Sequence, residues 1–193
     1  RLKELIQWGV ELDKNNSGEL DLGLEGGHSQ NRIVHHKDKT GLEIETKLIQ
    51  VVQNLANVTI RTSFFLSVVL LDNQKCIGII GFDEKSEVTS IVAKATILAT
   101  GGSGQVFGVT SNPFVSTGDG VAMAYRAGAK LEKMKYIQFH PTALYEPNKS
   151  QAFLITEAIR GFGAHILNQK MERFVFQYHP DGELATRDVV SKA

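Results

Sequence analysis

The spacing of apolar and polar residues predicts that the chain opens with helices and a short strand. Apolar residues recur at helical spacing over residues 2–8, and residues 20–24 alternate between apolar and polar side chains, as a half-buried strand does. Thr40 and Glu43 have the spacing of a capping box, in which two side chains satisfy free backbone N–H groups at a helix start. We therefore expect a helix from Thr40 through Leu55, with a broad apolar face that packs on a sheet.

From residue 58 the pattern changes to short apolar runs that are rich in β-branched residues and bounded by turn formers. We predict that these runs are strands, several of them in antiparallel hairpins: 58–62, 64–71, 76–81, 88–93 and 95–100. The last run ends in the sequence Ala99, Thr100, Gly101, Gly102. A strand that runs into glycines lets main chain lie close to a ligand at the carboxyl edge of a sheet, although such a turn alone is a weak signal. Helices and strands together predict an α+β or mixed α/β fold.

A helix of small residues is predicted over residues 121–128, directly after a turn-forming stretch at 117–120. Asp119 lies at its start. An aspartate in this position most often caps the helix, because its carboxylate accepts hydrogen bonds from free backbone N–H groups and is stabilised by the helix dipole. Contact with a hydroxyl group of a cofactor is the alternative for Asp119.

Composition excludes several classes of function. The 193 residues contain 21 Lys and Arg and 21 Asp and Glu, so no net charge attracts the chain to nucleic acid or to an anionic membrane. The longest apolar tract, 64–71, is far shorter than the roughly 20 residues that span a bilayer. The single cysteine, Cys76, is expected to be a buried inert thiol. His28, His35 and His36 fit no common metal-binding spacing, so no metal site is predicted.

Three short stretches near the carboxyl end predict an active site. They contain Gln138 and His140, then Thr156, Glu157 and Arg160, then Arg187. Two arginines and a histidine on short, stiffened segments form an anion clamp that suits a small dicarboxylate, because a guanidinium group matches a carboxylate in shape and charge. The proline after His140 keeps that residue out of a helix and on an extended segment. Each stretch alone has an ordinary structural explanation, and their combination favours the site.

Several short motifs occur along the chain in a fixed order. They are Glu25-Gly26-Gly27-His28-Ser29, Ala99-Thr100-Gly101-Gly102, Thr117-Gly118-Asp119-Gly120, His140-Pro141-Thr142, Thr156-Glu157, Arg160-Gly161, Gly182-Glu183-Leu184-Ala185 and Arg187-Asp188. This order resembles the succinate dehydrogenase and fumarate reductase flavoprotein family over nearly the whole chain. Within that family, the chain is most similar to the branch that oxidises L-aspartate.

The resemblance implies a partial FAD-binding domain over residues 1–133 and the start of an α+β capping domain over 134–193. FAD would be bound non-covalently, with contacts from Asp119 and from Ala99, Thr100, Gly101 and Gly102. The family's glycine-rich pyrophosphate turn does not occur in this sequence, and the first residue is Arg rather than Met. We therefore expect a fragment of a longer protein that alone is inactive and has an incomplete FAD site.

Roles for individual residues also follow from the resemblance. Catalytic roles are assigned to Arg187, His140 and Glu157, and substrate binding to Glu25, Gln138, Thr156 and Arg160. Glu25 is the residue that discriminates between substrates, because its carboxylate attracts the amino group of aspartate and repels a plain dicarboxylate. Arg187 is expected to act first electrostatically, since a guanidinium group stays protonated, and proton relay through its neighbours is the second possibility.

The reaction that the resemblance implies is oxidation of L-aspartate to iminoaspartate, with dioxygen or fumarate re-oxidising the flavin. The product would feed quinolinate synthase in the bacterial cytoplasm, on the route to NAD. A flavoprotein of the fumarate reductase or succinate dehydrogenase type is one alternative, and a non-catalytic ligand-binding fragment is another. Phe162, at a position where relatives commonly carry glutamate, weakens the fumarate reductase alternative slightly.

Overall fold

A computed structural model describes residues 1–25 and 27–193, and it divides the chain into two compact units. The first unit contains Arg1–Ile60, Phe139–Thr142 and Ile155–Ala193. The second contains Arg61–Gln138 and Ala143–Leu154. Each unit is thus built from segments that are distant in sequence. The boundary at residues 133 and 134, which the resemblance implies, stays a prediction.

The secondary structure is mixed α and β, as the sequence predicts. The helices are α1 (Leu2–Gln7), α2 (Thr40–Gln53), α3 (Asp119–Arg126), α4 (Ala158–Gly161) and α5 (Arg187–Lys192), with short 3₁₀ helices at Gly104–Val106, Val175–Gln177 and Gly182–Leu184. The strands are β1 (Leu22–Gly23), β2 (Ile33–Val34), β3 (Phe65–Asp72), β4 (Lys75–Phe82), β5 (Val88–Val92), β6 (Ala143–Leu144) and β7 (Phe153–Leu154). Of the described helices, none is both long and apolar enough to cross a membrane.

Helix α2 forms where the sequence predicts it, but the predicted capping box does not. Its N-cap residue is Lys39, which makes no side-chain cap. The Thr40 hydroxyl instead accepts a hydrogen bond from the His36 N–H at 3.0 Å, and the Glu43 carboxylate accepts one from the Glu11 N–H at 2.9 Å. Both side chains therefore tie the helix to preceding segments of the first unit.

The second unit contains an antiparallel sheet of β3, β4 and β5, in that order. Asn73 and Gln74 join β3 to β4 with φ angles of 47° and 65°, a conformation that matches the right-handed twist of a tight hairpin. Helix α3 lies against β3, where the Arg126 guanidinium donates to the Ser67 carbonyl oxygen at 3.3 Å. This sheet confirms three of the predicted strands.

Two other predicted strands are wrong. Residues 58–62 and 95–100 belong to no strand of the described chain. A strand needs a neighbour to take up its backbone hydrogen bonds, and no described segment pairs with either run. Their apolar side chains remain accessible, and Ile97 is 90% exposed.

The small core of the first unit holds the segment that carries Arg187. Val175, Ala185 and Val190 are buried together. Ala185 precedes Arg187 by two residues, and Val190 lies one helical turn after it on α5. Burial of a valine side chain contributes about 2 kcal/mol. The core thus fixes the start of α5 on both sides of Arg187.

Candidate active site

Three segments of the first unit meet around the predicted site residues. The Leu24 carbonyl oxygen lies so close to Gly161 that a Cβ added to this glycine would be 2.6 Å from it. The Gly27 N–H donates to the Leu184 carbonyl oxygen at 3.0 Å, and a Cβ on Gly27 would lie 3.1 Å from the Thr186 methyl carbon. These contacts hold the segment of Glu25 against both α4 and the start of α5. Gly26 of the same motif lies outside the described residues.

Glu157 is the centre of an ionic cluster. Its Oε2 accepts a hydrogen bond from Nε of Arg187, and its Oε1 lies 3.0 Å from Nη2 of Arg160. Glu157 is only 5% exposed and Arg160 only 4%, so this ion pair is shielded from water. Oε2 of Glu25 lies 3.8 Å from Nη2 of Arg187, at the more exposed side. The structure thus brings together four predicted site residues, with one buried carboxylate shared between two guanidinium groups.

Arg160 is tightly enclosed. Its Nη1 donates to the Glu183 carbonyl oxygen at 2.7 Å. Its Nε and Nη2 are buried, and within the described chain neither makes a hydrogen bond, so the contact of Nη2 with Glu157 is an ion pair without hydrogen-bond alignment. Buried donors without partners are costly, so the single bond to Glu183 matters for the orientation of this guanidinium group.

Thr156 lies at the entrance of α4. Its hydroxyl oxygen accepts a hydrogen bond from the Ala158 N–H at 3.3 Å. This local turn fixes the threonine side chain and precedes the four-residue helix α4. Arg160 lies in this helix, three positions after the N-cap residue Glu157. The threonine hydroxyl keeps its own proton for donation to a ligand.

His140 lies outside the helices and strands of the described chain, which agrees with the prediction that the following proline keeps it out of a helix. Its Nδ1 contacts Thr142, at 3.2 Å from the carbonyl oxygen and 3.3 Å from the backbone N–H. Thr142 is held in turn by Ile155, whose N–H donates to the Thr142 carbonyl oxygen at 3.0 Å. Burial, and then the positive charge of Arg187, hold the pKa of His140 below its ordinary value, while Thr142 and Glu157 act in the opposite direction. The imidazole is therefore uncharged near neutral pH.

The sequence predicted no role for Glu183 and Arg173, although these two residues support the ionic cluster of Glu157. The Arg173 guanidinium donates to both oxygens of Glu183, at 3.0 Å and 2.9 Å, and the Ile166 N–H donates to the same carboxylate at 3.2 Å. The hydrogen bonds from Arg173 are the main cause that lowers the pKa of Glu183 to about 2. The available signal was the motif Gly182-Glu183-Leu184-Ala185, whose acidic residue precedes Arg187 by four positions. Nothing in the sequence indicates that this residue is only 3% exposed.

The predicted cofactor residues come together in the second unit. A Cβ on Gly120 would overlap the Thr100 hydroxyl oxygen, so the segment 99–102 lies directly against the first turn of α3. Asp119 begins this turn and accepts a hydrogen bond from the Thr117 hydroxyl. Gly101 has a φ of +72°, and the space beside its Cα is open. Exposed peptide groups next to a carboxylate fit the polar part of a dinucleotide cofactor.

The remaining predictions have separate outcomes. Gln138 belongs to the second unit, so its assignment to the substrate site stays a prediction. His35 and His36 have different partners: Nδ1 of His35 lies 2.9 Å from Asp13, and Nδ1 of His36 lies 2.8 Å from the Glu11 carbonyl oxygen. In the part of the chain that the structure describes, no group of three or more His, Cys, Asp or Glu side chains is arranged to hold a metal ion.

Comparisons with known proteins agree with the motifs. The family model described as FAD binding domain matches residues 1–193. An L-aspartate oxidase from Nostoc is 47% identical over 194 residues, which cover 100% of this chain and 33% of the relative. A chloroplastic L-aspartate oxidase from Oryza sativa is 44% identical over 207 residues, which cover 100% and 32%. A fumarate reductase (CoM/CoB) polypeptide from Methanothermobacter marburgensis is 41% identical over 194 residues, which cover 100% and 35%.

The fold also matches a solved structure. FrdA of E. coli quinol fumarate reductase, with an E245Q mutation, superposes with a TM-score of 0.91 and 28% identity, over 99% of this chain and 34% of that chain. The chain spans about a third of the length of the curated relatives that it matches. These findings confirm the predicted fold class, the predicted cofactor FAD and the resemblance to L-aspartate oxidases. The chain belongs to the FAD binding domain family.

Proposed function

We propose that the complete protein oxidises L-aspartate to iminoaspartate with FAD as its cofactor. The observation that carries this proposal is the position of Glu25, with Oε2 3.8 Å from the Arg187 guanidinium at the edge of the Glu157 cluster. A carboxylate there suits a substrate with both a carboxylate and an ammonium group. The names of the relatives from Nostoc and Oryza sativa support the same substrate.

The substrate carboxylates would bind to neutral and positively charged donors. In the tautomer with its proton on Nε2, His140 accepts from the Thr142 N–H at Nδ1 and presents Nε2–H to a carboxylate. The Thr156 hydroxyl supplies a second neutral donor, and Gln138 is assigned a third. Arg187 would supply positive charge to a substrate carboxylate, while Glu157 holds its Nε.

Glu25 would select the amino acid. In the free protein its interaction with Arg187 is long, so little energy is lost when a substrate ammonium group takes over one carboxylate oxygen. Succinate carries a hydrogen atom in place of this ammonium group, so its two negative charges would not be offset near the charge of Glu25. The same residue therefore attracts L-aspartate and repels the plain dicarboxylate.

Cofactor binding is assigned to the second unit. Residues 99–102 would approach the dinucleotide with exposed backbone, and Asp119 would accept a hydrogen bond from one of its hydroxyl groups. When bound, FAD supplies the acceptor for the two electrons and the hydrogen that leave the substrate Cα. The amino group loses a proton as the C=N bond forms. Arg187 stabilises the carboxylates throughout, because a guanidinium group remains protonated and cannot act as a free base.

In the cell, the complete protein would need an electron acceptor and an enzyme that uses its product. Dioxygen or fumarate would take the electrons from the reduced cofactor, and quinolinate synthase would use the imine product. The cytoplasm is the expected compartment. The second candidate function is fumarate reduction. It is favoured by the Methanothermobacter relative, and the charged cluster of Glu157 and Arg187 would suit this dicarboxylate as well.

A substrate panel on the full-length protein tests the proposal. We expect L-aspartate oxidation with a higher kcat/KM than succinate oxidation or fumarate reduction. Glu25→Gln should lower kcat/KM for L-aspartate by about tenfold to 100-fold, the range for loss of one charge-assisted hydrogen bond. The matched control is Glu84→Gln, which removes an exposed carboxylate from the second unit. Succinate turnover that equals or exceeds L-aspartate turnover in the unmodified protein would contradict the proposal.

A further inference from the structure

The 3₁₀ helix Gly182–Leu184 holds two sides of the candidate site with consecutive carbonyl groups. The Glu183 carbonyl oxygen accepts from Nη1 of Arg160 at 2.7 Å. The next one, of Leu184, accepts from the Gly27 N–H at 3.0 Å. Arg160, in the first contact, is paired with Glu157, which binds Arg187. Gly27, in the second contact, belongs to the segment of Glu25. A shift of this short helix would therefore move both carboxylates that face Arg187.

The Glu183 side chain anchors this helix. A buried carboxylate with three hydrogen bonds from Arg173 and Ile166 has one well-defined position. The bidentate geometry with Arg173 fixes the plane of the carboxylate as well as its distance. A three-residue helix has few hydrogen bonds of its own, so its position depends on such external anchors. Glu183 is only 3% exposed, so its carboxylate is largely shielded from water.

Arg160 has no other fixed hydrogen-bond partner within the described chain. Its Nε and Nη2 are buried without hydrogen bonds, although Nη2 lies 3.0 Å from Glu157. The bond to the Glu183 carbonyl therefore sets the rotation of the guanidinium group. Through the ion pair, this rotation sets the position of Glu157, whose other oxygen accepts from Arg187.

We propose that Glu183, held by Arg173, is a positioning residue for Arg187 and acts through Arg160 and Glu157. This inference rests on the proposed function for the identity of the substrate, but the positioning applies to any dicarboxylate that Arg187 binds. Glu183 contacts neither substrate nor cofactor in this proposal. Its contribution is the geometry of the charged cluster, where a displacement of about 1 Å can lower a rate by 100-fold.

Kinetics of variants in the full-length protein test the inference. Glu183→Gln keeps the shape of the side chain and removes its charge, and Arg173→Gln removes the partner at a more exposed position. Both should lower kcat for the dicarboxylate that is turned over by about tenfold to 100-fold, at a temperature where circular dichroism shows them folded. Arg173→Lys should recover part of the loss, because it restores charge without the bidentate geometry.

The matched control is Arg61→Gln. Arg61 stacks on Phe64 at 4.7 Å much as Arg173 stacks on Phe176 at 4.8 Å, and it makes no ion pair among the described residues. Loss of the aromatic contact alone should leave kcat unchanged. A drop in Arg61→Gln as large as that in Arg173→Gln would assign the effect to stacking and overturn the inference.

A double-mutant cycle distinguishes positioning from general destabilisation. If Glu183 acts through Arg160, its substitution should matter little once Arg160 is changed. The double variant Glu183→Gln, Arg160→Lys should then have a kcat less than about twofold below that of Arg160→Lys alone. Losses that multiply would overturn the inference, as would normal kcat and KM in folded Glu183→Gln and Arg173→Gln. The cycle can be run with L-aspartate, succinate or fumarate. Coupling measured with fumarate in a protein that does not oxidise L-aspartate would retain the positioning role and reject the proposed function.

Discussion

Replacing Gly161 by alanine changes the position of Glu25 without removing any charged group. Gly161 ends α4 in a backbone conformation that alanine adopts without strain, so the added methyl group acts through its contacts alone. The new Cβ would lie 2.6 Å from the Leu24 carbonyl oxygen. An ordinary carbon–oxygen contact needs about 3.3–3.6 Å. The Leu24 carbonyl must therefore move by about 0.8 Å, and Glu25 is the next residue.

The size of the effect follows from this displacement. A substrate ammonium group hydrogen-bonded to Glu25 at about 2.9 Å would lie roughly 0.8 Å farther away. With an effective dielectric constant of about 20, the lost attraction is about 1.2 kcal/mol, or roughly an eightfold decrease in kcat/KM for L-aspartate. Succinate has no ammonium group and should lose nothing through this contact. For the fold, overpacking costs about 1–3 kcal/mol, and the better helix propensity of alanine returns up to about 1 kcal/mol.

The assay compares two substrates and two glycine-to-alanine substitutions. In the full-length protein, kcat/KM is measured for L-aspartate and succinate, and unfolding is followed by circular dichroism. Gly41→Ala is the control, because Gly41 lies in α2 with open space around its Cα. This substitution should stabilise the protein by up to about 1 kcal/mol and leave the ratio of the two kcat/KM values unchanged. If Gly161→Ala behaves in the same way, the contact with Leu24 does not set the position of Glu25.

Other predictions concern the charged groups. Arg187→Lys in the full-length protein should lower kcat by at least about 100-fold, because a lysine cannot bond Glu157 and a substrate carboxylate in one plane; near-normal turnover would refute the need for a guanidinium group. Arg187→Gln should raise the pKa of His140, since the positive charge of Arg187 is the second cause, after burial, that lowers it; an NMR titration of the imidazole protons that shows no change would contradict this. Glu183 has a pKa of about 2 in the folded protein, below its ordinary value, so its contribution to the free energy of unfolding is present above about pH 4.5 and is lost as the pH falls toward 2. Denaturant unfolding between about pH 6 and pH 3 should therefore show a smaller loss of stability in Glu183→Gln than in the unmodified protein.

Sequence patterns identified the local elements well and their partners poorly. The apolar period of α2 is a property of the helix itself, so it could be read from residues 40–55. The predicted capping box requires that the Thr40 and Glu43 side chains have no other partners. In the folded chain they accept hydrogen bonds from the backbone N–H groups of His36 and Glu11 instead. The run at 95–100 has the composition of a strand, but pairing is a property of two segments, and the second is absent from the described residues.

The candidate site was identified in part for the same reason. Glu157, Arg160 and Arg187 occur in motifs of unusual residue types, so their importance is visible in sequence. Glu183 supports them through its backbone carbonyl group. The motif Gly182-Glu183-Leu184-Ala185 is visible in the sequence, but the contact of this carbonyl group with Arg160 is not. Arg173, ten positions earlier, has the sequence context of an ordinary surface arginine. Contacts through main-chain atoms and through single long-range ion pairs require the folded structure.

The charges of the cluster connect its geometry to the choice of substrate. In the free protein, two guanidinium groups, of Arg160 and Arg187, face two carboxylates, of Glu25 and Glu157, so the cluster is close to neutral. Succinate would add two negative charges to this neutral site, whereas L-aspartate adds one, because its ammonium group offsets a carboxylate. His140 is uncharged near neutral pH but can take up a proton. The positive charge of that proton would neutralise the whole net charge of bound L-aspartate but only half of the net charge of bound succinate. Burial of unbalanced charge is costly, so the preference for an amino acid would follow from the charge of the whole cluster and from the contact with Glu25 together.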